Sequence, residues 1–232
     1  STSADAVRSV YAADVDGDGD MDVLSACDYD NKIAWYENNG SESFTEHAIS
    51  TQADYAMSVH AADVDGDGDM DVLSASKEID EIAWFENDGS ESFTEHEISN
   101  SADGAWSVYA ADVDVDGDMD VISASFYDHK IAWYANNGSE SFTEHVISTS
   151  AENANFVYVA DVDGDGDMDV LSASSYDDKI AWYENDGSEN FTENVISTSA
   201  DGARSVHATD VDGDGDMDVL SASYGDDKIA WY

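Results

Sequence analysis

The sequence has no proline, a single cysteine and very few basic residues, and the last two shortages exclude a disulfide and some classes of partner. Average usage would place about a dozen prolines in a chain of this length. Because Cys27 has no second cysteine to pair with, an intrachain disulfide is excluded. Seven Lys and Arg residues stand against 54 Asp and Glu residues, which gives a formal net charge of −47. This balance argues against nucleic acid and anionic membranes as partners, since both are bound through clustered basic side chains.

Long apolar runs are missing as well. No apolar stretch approaches the roughly 18 residues that a membrane-spanning helix needs. The first residues, Ser-Thr-Ser-Ala-Asp, carry neither a basic nor an apolar targeting segment, so any signal peptide is expected to be removed or absent. Low hydrophobicity with high charge often means disorder. However, 42% of the residues are hydrophobic and 11% are aromatic, so the sequence predicts a folded domain.

Internal repeats organise the whole chain. The block Asp-Val-Asp-x-Asp-Gly-Asp-Met-Asp-Val recurs every 49 residues, and an Ile-Ala-Trp segment follows each copy in step. Only the third copy departs from the glycine pattern, with Val115 in place of the first glycine. No linker interrupts the series, so residues 1–232 are predicted to form a single domain of five repeats. The blocks start at Asp14, Asp63, Asp112, Asp161 and Asp210.

Within a repeat the hydrophobic pattern has a period of two, which is typical of β-strands. The first repeat predicts strands a to d at Ser9–Asp14, Met21–Cys27, Lys32–Glu37 and Phe44–Ile49. Four short antiparallel strands in a repeat of this length are typical of a propeller blade. We therefore expect an all-β, five-bladed β-propeller. The side chains expected to fill the space between blades are Trp35 and its equivalents with Leu24, Tyr36, Phe44 and Ile49.

The last repeat ends before its strand d. Strand d begins at Phe44, Phe93, Phe142 and Phe191, and no fifth copy follows Trp231. The prediction is therefore 19 strands, with one three-stranded blade that lacks its outer strand. Such a blade has an exposed edge, which is a site for pairing with another chain. Self-association through this edge is one expectation.

The acidic loop between strands a and b has the pattern of a calcium site. It carries carboxylates at positions 1, 3, 5, 7 and 9, with glycine at position 6 in every repeat. Hard oxygen ligands without His or Cys favour Ca²⁺, with a backbone carbonyl at position 7 as a further ligand. An EF-hand is rejected, because position 12 is Ser25 and the flanking segments are strand-like. We expect about five calcium ions, one for each repeat.

The candidate metal ligands are the same five aspartates in each repeat. They are Asp14, Asp16, Asp18, Asp20 and Asp22; Asp63, Asp65, Asp67, Asp69 and Asp71; Asp112, Asp114, Asp116, Asp118 and Asp120; Asp161, Asp163, Asp165, Asp167 and Asp169; and Asp210, Asp212, Asp214, Asp216 and Asp218.

The acidic block, the short strand after it and the Asn-Asp-Gly-Ser turn together resemble the FG-GAP/VCBS repeats of integrin-α-like β-propellers. The resemblance covers essentially the whole chain, although the Phe-Gly and Gly-Ala-Pro signatures of integrin blades are absent. It implies that Asp14, Asp16, Asp18 and Asp22, with their equivalents, coordinate calcium. By analogy with lectins that use similar blades, it also raises a sugar-binding hypothesis.

The repeats differ mainly in two loops, which an up-and-down blade places on one face, opposite the acidic loops. One variable position precedes strand a, and another loop joins strands b and c. Variable loops on a rigid scaffold commonly bind ligands, although drift after duplication would give the same pattern. The candidate ligand-binding residues are Arg8, Tyr55, Met57, Trp106, Phe126, Asn155 and Arg204.

Catalysis has little support, since none of the six histidines pairs with a candidate nucleophile. The leading hypothesis is therefore a calcium-stabilised recognition or adhesion module, secreted or on the cell surface, for a glycan or protein ligand. Two alternatives remain: a purely structural segment of a larger surface protein, and a polysaccharide lyase or hydrolase scaffold.

Overall fold

The chain forms an all-β, five-bladed β-propeller. A computed structural model describes residues 4–41 and 43–232. The strands of the first two blades are β1 (Val7–Ala13), β2 (Asp22–Cys27), β3 (Lys32–Asn38), β4 (Phe44–Ser50), β5 (Ala56–Ala62), β6 (Asp71–Ser76), β7 (Glu81–Asn87) and β8 (Phe93–Ser99). Those of the third and fourth are β9 (Ala105–Ala111), β10 (Asp120–Ser125), β11 (Lys130–Asn136), β12 (Phe142–Ser148), β13 (Ala154–Ala160), β14 (Asp169–Ser174), β15 (Lys179–Asn185) and β16 (Phe191–Ser197). The fifth has β17 (Ala203–Thr209), β18 (Asp218–Ser223) and β19 (Lys228–Trp231).

Each blade is a separate antiparallel sheet whose strands follow one another in chain order. Blades 1 to 4 have four strands, and blade 5 is the three-stranded sheet β17-β18-β19. The predicted strand count and the shortened last blade are therefore confirmed. Predicted and observed boundaries in the first blade agree to within two residues, because alternating apolar residues and the flanking Asp-Gly loops define each strand locally. The described residues contain no helix that is long and apolar enough to span a bilayer.

Hydrophobic cores lie between neighbouring blades. In the first one, Leu24, Ile33 and Trp35 of blade 1 pack against Val59 and Phe85 of blade 2. We call the side of a blade that carries the tryptophan its forward face, and the opposite side its backward face. Similar clusters join blade 2 to blade 3, blade 3 to blade 4 and blade 4 to blade 5. The prediction that the tryptophans fill the space between blades is confirmed at these four interfaces.

The two faces at the ends of this series are open. On the backward face of blade 1, Val10 is 66% exposed, whereas its equivalents Val59, Val108, Val157 and Val206 are at most 3% exposed. On the forward face of blade 5, Ile229 is 83% exposed, whereas its four equivalents are fully buried. Phe44 and Trp231 are exposed for the same reason, so their predicted place in an inter-blade core is wrong in this structure. Among the described residues, no hydrophobic cluster joins blade 5 to blade 1.

Aromatic side chains follow one another along the innermost strands. They occupy one equivalent position in all five blades, and successive ring centroids are 4.4 to 5.3 Å apart. In this row the ring of His60 lies between the rings of Tyr11 and Tyr109. The five residues are Tyr11, His60, Tyr109, Tyr158 and His207.

The buried ring of His60 predicts a pH dependence of stability. Burial lowers the pKa of His60 to about 4. Because this is below the ordinary histidine value of about 6.5, the neutral ring stabilises the fold fully above that pH, and the contribution is lost as the pH falls toward 4. The loss should amount to about 3 kcal/mol. His60→Tyr, which introduces the residue found in three equivalent positions, should reduce this acid-dependent loss.

The measurement is the free energy of unfolding in urea at neutral pH and near the lowered pKa, with calcium in excess for both proteins. His207→Tyr is the matched control, because it makes the same change at an exposed equivalent position. If His60→Tyr and wild type lost the same free energy over this range, burial of the neutral ring would not be the cause.

Candidate metal centres and ligand site

The acidic loops join the first two strands of each blade and are folded by their own side chains. In blade 1 the Gly19 amide donates to Asp14 Oδ2 at 3.0 Å, and the Asp18 amide donates to Asp16 Oδ1 at 3.1 Å. The Asp20 amide donates to Asp18 Oδ1 at 2.8 Å. The other blades repeat these bonds, for example Gly68 to Asp63 at 3.1 Å. Aspartate side chains that accept a hydrogen bond from the backbone amide two residues later are typical of tight loops. Here these bonds fold the chain around its own carboxylates.

Each loop brings three carboxylates together. In every blade, one oxygen from each of three aspartates lies within 4.8 Å of the other two. Blade 1 groups loop positions 1, 3 and 5, and the other blades group positions 1, 3 and 9. The groups are Asp14, Asp16 and Asp18; Asp63, Asp65 and Asp71; Asp112, Asp114 and Asp120; Asp161, Asp163 and Asp169; and Asp210, Asp212 and Asp218. Each blade therefore has an aspartate cluster that could bind a metal ion.

The aspartate at position 9 anchors the loop to the rest of the blade. Asp71 is fully buried, and its two oxygens accept from the backbone amides of Val64 at 2.8 Å and Asn87 at 2.8 Å. Burial raises the pKa of Asp71 to about 6, even though these hydrogen bonds oppose the shift. The pKa of the equivalent Asp120 is raised to about 6 for the same reason.

The aspartate at position 7 lies elsewhere. The carboxylate of Asp20 packs against Gly40 in the turn between strands c and d, and a side chain at Gly40 would overlap it. Gly40 also has a φ of 69°, which favours glycine. None of the five clusters includes the position 7 residues Asp20, Asp69, Asp118, Asp167 and Asp216. The calcium-loop pattern assigns position 7 a backbone carbonyl as its ligand, although Asp20 and its equivalents are also among the candidate ligands.

The donor set of the loops fits a hard cation. The second carboxylate oxygens of Asp14, Asp63 and Asp112 are buried and have no hydrogen-bond partner among the described residues. Burial raises the pKa of Asp16, and the carboxylates of Asp18, Asp22 and Asp14 raise it further. A cation with oxygen ligands would satisfy the unpaired oxygens and relieve this repulsion. In the third loop Val115 takes a φ of 61°, the left-handed conformation that glycine adopts at this position in the other loops.

The two variable loops of each blade lie together, on the side of the molecule opposite the acidic loops. Within a blade, the Lys77 amide donates to the Tyr55 carbonyl at 3.0 Å and the Phe126 amide to the Gly104 carbonyl at 3.0 Å. Between blades, the Tyr55 amide donates to Asn31 Oδ1 at 3.3 Å. These bonds connect the loops into one surface, which we call the variable face.

Five of the seven candidate ligand-binding residues line one cavity of about 210 Å³ on the variable face. They occupy the same position in the five blades, the second residue of each innermost strand, whereas the sequence placed this position just before the strand. They are Arg8, Met57, Trp106, Asn155 and Arg204, and the lining also includes Ser9, Ser58, Ser107 and Phe156. The other two candidates, Tyr55 and Phe126, are not among the lining residues.

One polar group in this cavity lacks a partner. Asn155 is 2% exposed, and its Nδ2 donates to the Ala203 carbonyl at 3.0 Å. Its Oδ1 has no hydrogen-bond partner among the described residues. A buried amide oxygen without a partner is costly, so a donor from water or a ligand is expected there. Both arginines are exposed: Arg8 forms an ion pair with the buried Asp28 at 2.6 Å, and the Arg204 guanidinium lies 5.8 Å from the ring centroid of Tyr224.

The predicted aromatic residues pack on one another and on a lysine. Trp106 stacks on Phe126 with ring centroids 4.7 Å apart. Lys77 Nζ lies 5.4 Å from the ring centroid of Trp106 and 5.0 Å from that of Tyr127. Lys77 Nζ also lies 6.0 Å from the ring centroid of Tyr55, so it provides a cation for the π-faces of two of the three aromatic candidates, Tyr55 and Trp106. All three aromatic candidates are half-buried. Sequence reasoning missed Lys77, although it is the only lysine in the five variable b–c loops.

Several solved structures have a fold similar to that of this chain at low sequence identity. A lectin from Agrocybe aegerita, described as recognising non-reducing terminal N-acetylglucosamine, is 18% identical with a TM-score of 0.61, over 96% of this chain and 65% of that one. The biofilm matrix protein Bap1 of V. cholerae is 19% identical with a TM-score of 0.60, over 98% of this chain and 37% of that one. A Bacteroides uniformis protein with a provisional 6-phosphogluconolactonase assignment is 13% identical with a TM-score of 0.66, over 96% and 65%.

These likenesses establish the fold alone, because all three identities are below 20%. The chain spans less than two thirds of the length of each of these three proteins. The comparison with curated proteins gave no match.

The family follows from the repeats themselves. The sequence profile of the FG-GAP-like repeat matches residues 14–74, 63–123, 113–172 and 161–221, which together cover most of the chain. The matches overlap and follow the acidic loops from blade to blade, in agreement with the resemblance seen in the sequence. This chain belongs to the FG-GAP-like repeat family.

Proposed function

We propose that this chain is a calcium-stabilised extracellular recognition module that binds a glycan at the cavity of the variable face. The observation that carries the proposal is the convergence of Arg8, Met57, Trp106, Asn155 and Arg204 on one cavity. The strands and acidic loops of the repeats are nearly identical, and yet this one position holds four different residue types in the five blades, with arginine occurring twice. Different side chains around one cavity make an asymmetric site on a symmetric scaffold.

The chemistry of the lining suits a neutral, hydroxyl-rich ligand. Asn155 Oδ1 offers a buried acceptor, and the exposed guanidinium of Arg204 offers donors. The apolar side chains of Met57 and Trp106 provide surface for a sugar ring. At about 210 Å³, the cavity is smaller than the roughly 300 to 1,000 Å³ of drug-sized sites, so it suits the terminal unit of a larger ligand. An acidic glycan is disfavoured by the net charge of −47.

Calcium is the proposed cofactor, with one ion in each acidic loop. The three grouped aspartates of each blade would hold it, together with backbone oxygens of the loop. Because the acidic loops and the variable loops lie at opposite ends of strand b, calcium would brace the scaffold and leave the ligand site free. Loops of this kind suit the calcium concentrations outside cells, which supports a secreted or surface location. The shared inter-blade cores support residues 1–232 as one domain.

The environments of the histidines support binding rather than catalysis. His47 stacks on Trp35 with ring centroids 4.6 Å apart, and its Nε2 lies 2.9 Å from Glu37 Oε2. His96 repeats this arrangement with Trp84 and Glu86. These contacts hold strand d against strand c, which is a structural role. The fold analogy with the Agrocybe aegerita lectin points the same way.

The test is a glycan array in calcium, followed by titration of the best ligand against two variants. Arg204→Ala should weaken binding about ten-fold or more, because it removes charged donors from the cavity. Lys228→Ala is the matched control, since it removes one positive charge from an exposed side chain of the same blade outside the cavity. Equal affinity for both variants, or a wild-type chain that binds no glycan, would overturn the proposal and favour a purely structural role.

A further inference from the structure

Three aromatic rings surround one ammonium group on the variable face, where blade 2 meets blade 3. Lys77 Nζ lies 5.0 Å from the ring centroid of Tyr127 and 5.4 Å from that of Trp106. The ring of Tyr55 is the third, with its centroid at 6.0 Å. We call these three rings the aromatic cage. A cation within about 6 Å of a ring centroid is attracted by the negative face of the ring. The cage therefore holds a cation, and in this structure that cation is the side chain of Lys77.

The residues that build the cage are peculiar to this boundary between two blades. The counterparts of Tyr55 in the other repeats are alanine, asparagine and two glycines, and those of Trp106 are methionine, asparagine and two arginines. Lys77 stands where the other repeats have aspartate, phenylalanine, serine and tyrosine. Among the described residues, no other cation lies over more than one ring. The cage is thus a local feature on a repeated scaffold.

The ring of Tyr127 is fixed in the cage by a glycine. A Cβ atom at Gly104 would come within 2.6 Å of Tyr127 Cδ2, so the ring lies directly on the backbone of the preceding loop. Tyr127 is 49% exposed, whereas its counterparts Tyr29 and Tyr176 are 63% and 73% exposed. Because the ring is already held by packing, a ligand does not have to order it on binding.

The cage provides ring faces but no hydrogen-bond acceptor. A lysine ammonium has three N–H donors. Those of Lys32, Lys130 and Lys179 each reach a glutamate of strand d at 2.7 to 2.8 Å. By contrast, no described residue accepts a hydrogen bond from Lys77 Nζ, and the exposed carboxylate of Glu78 is 3.7 Å away. A quaternary ammonium has the charge without any N–H donor, so it loses nothing in such a site.

We infer that the aromatic cage is a binding site for the quaternary ammonium group of a ligand, which displaces Lys77 from the rings. Lys77 is then a tethered competitor, and a group on a short tether acts at an effective concentration on the order of millimolar. The net charge of −47 attracts cationic ligands to the protein. The inference does not depend on the proposed glycan site, although Trp106 belongs to the cage and also lines the cavity.

The test titrates the full chain in calcium at physiological salt with tetramethylammonium, and follows the methyl proton resonance of this probe by NMR. A cation over aromatic faces is shifted upfield by their ring currents, so the resonance reports on the cage directly. Wild type should give a saturable upfield shift. Lys77→Ala should bind the probe about ten-fold or more tightly than wild type, because the tethered competitor is removed.

Two further changes, each made in the Lys77→Ala protein, show whether the rings bind the probe. Tyr127→Ala removes one ring of the cage and should weaken binding about five-fold or more. Tyr176→Ala is the matched control, because it removes the counterpart tyrosine of blade 4, which lies over no cation among the described residues. Thermal melts in calcium verify that each variant is folded.

Ammonium chloride separates recognition of the methylated cation from simple attraction by negative charge. The ammonium ion carries the same charge with N–H donors, so it should not displace tetramethylammonium at equal concentration. The inference is overturned if wild type gives no saturable upfield shift. It is also overturned if Tyr127→Ala and Tyr176→Ala have equal effects, or if ammonium displaces the probe as well as unlabelled tetramethylammonium does.

Discussion

Excess EDTA is expected to lower the melting temperature of this protein sharply, and this is the largest effect that the structure predicts. Five loops each hold three carboxylates whose oxygens lie within 4.8 Å of one another. Two such charges about 4 Å apart repel by roughly 1 kcal/mol in water and about 4 kcal/mol at an effective dielectric constant of 20. Without a cation, the loops must either open or take up protons.

The size of the effect follows from binding linkage. At a free calcium concentration of about 100 times the dissociation constant, each occupied site stabilises the fold by roughly 2.7 kcal/mol. Five independent sites would contribute about 14 kcal/mol, which is comparable with the whole stability of a typical domain. Circular dichroism melts in calcium and in EDTA measure the difference, and calorimetric titration measures the number of ions bound.

A pair of variants in one loop connects this effect to the aspartate clusters. Asp63→Asn removes a charge from the cluster of blade 2, and Asp69→Asn makes the same change at position 7, outside the cluster. The first should lose about one site's share of the calcium-dependent stability, roughly 2.7 kcal/mol, and the second should retain it. Superimposable melting curves with and without EDTA for the wild-type protein would rule out the calcium assignment.

The second large effect is expected at the inter-blade tryptophans. Trp133 is almost fully buried between blades 3 and 4, where it stacks on His145 at 4.6 Å. Trp133→Ala should therefore destabilise the protein by about 3 to 5 kcal/mol, since it removes buried contacts and leaves a cavity. In a chain of this size, that loss corresponds to a fall in melting temperature of roughly 6 to 20 °C.

Trp231→Ala is the matched control at the equivalent position of blade 5. Because Trp231 is 53% exposed, its removal should change stability by only about 0.5 kcal/mol at concentrations where the chain is monomeric. Both variants are compared by thermal melts in excess calcium. Similar destabilisation by the two changes would mean that the forward face of blade 5 is packed in solution, contrary to the structure.

Much of the architecture could be predicted because the information is local. The alternation of apolar residues along Lys32–Asn38 and the Asp-Gly blocks define strands and turns within a few residues. The same pattern is present in all five repeats, so each repeat predicts the same strands and turns. The acidic loops were predicted for the same reason. The packing of the Asp20 carboxylate against Gly40 was not predicted, because it depends on the glycine of a turn that lies twenty residues further along the chain.

The candidate ligand site was also predicted only in part from the sequence. The variable positions were visible in the sequence, as was their placement on one face. That Arg8 and Arg204 share a cavity, while Tyr55 and Phe126 do not line it, depends on how the innermost strands are arranged around the centre. The unpaired oxygen of Asn155 is likewise a property of its neighbours in space. The sequence pattern of a single chain does not predict whether a buried polar atom has a hydrogen-bond partner in space.

By itself, the sequence determined the repeat length, the strand pattern, the family and the aspartates from which a metal centre can be built. Only the tertiary structure decided which faces are buried. Val10 and Val59 lie in nearly identical sequence surroundings, and yet one is 66% exposed and the other 3% exposed. The physical reason is that burial depends on the blade packed opposite rather than on the neighbouring residues in the chain.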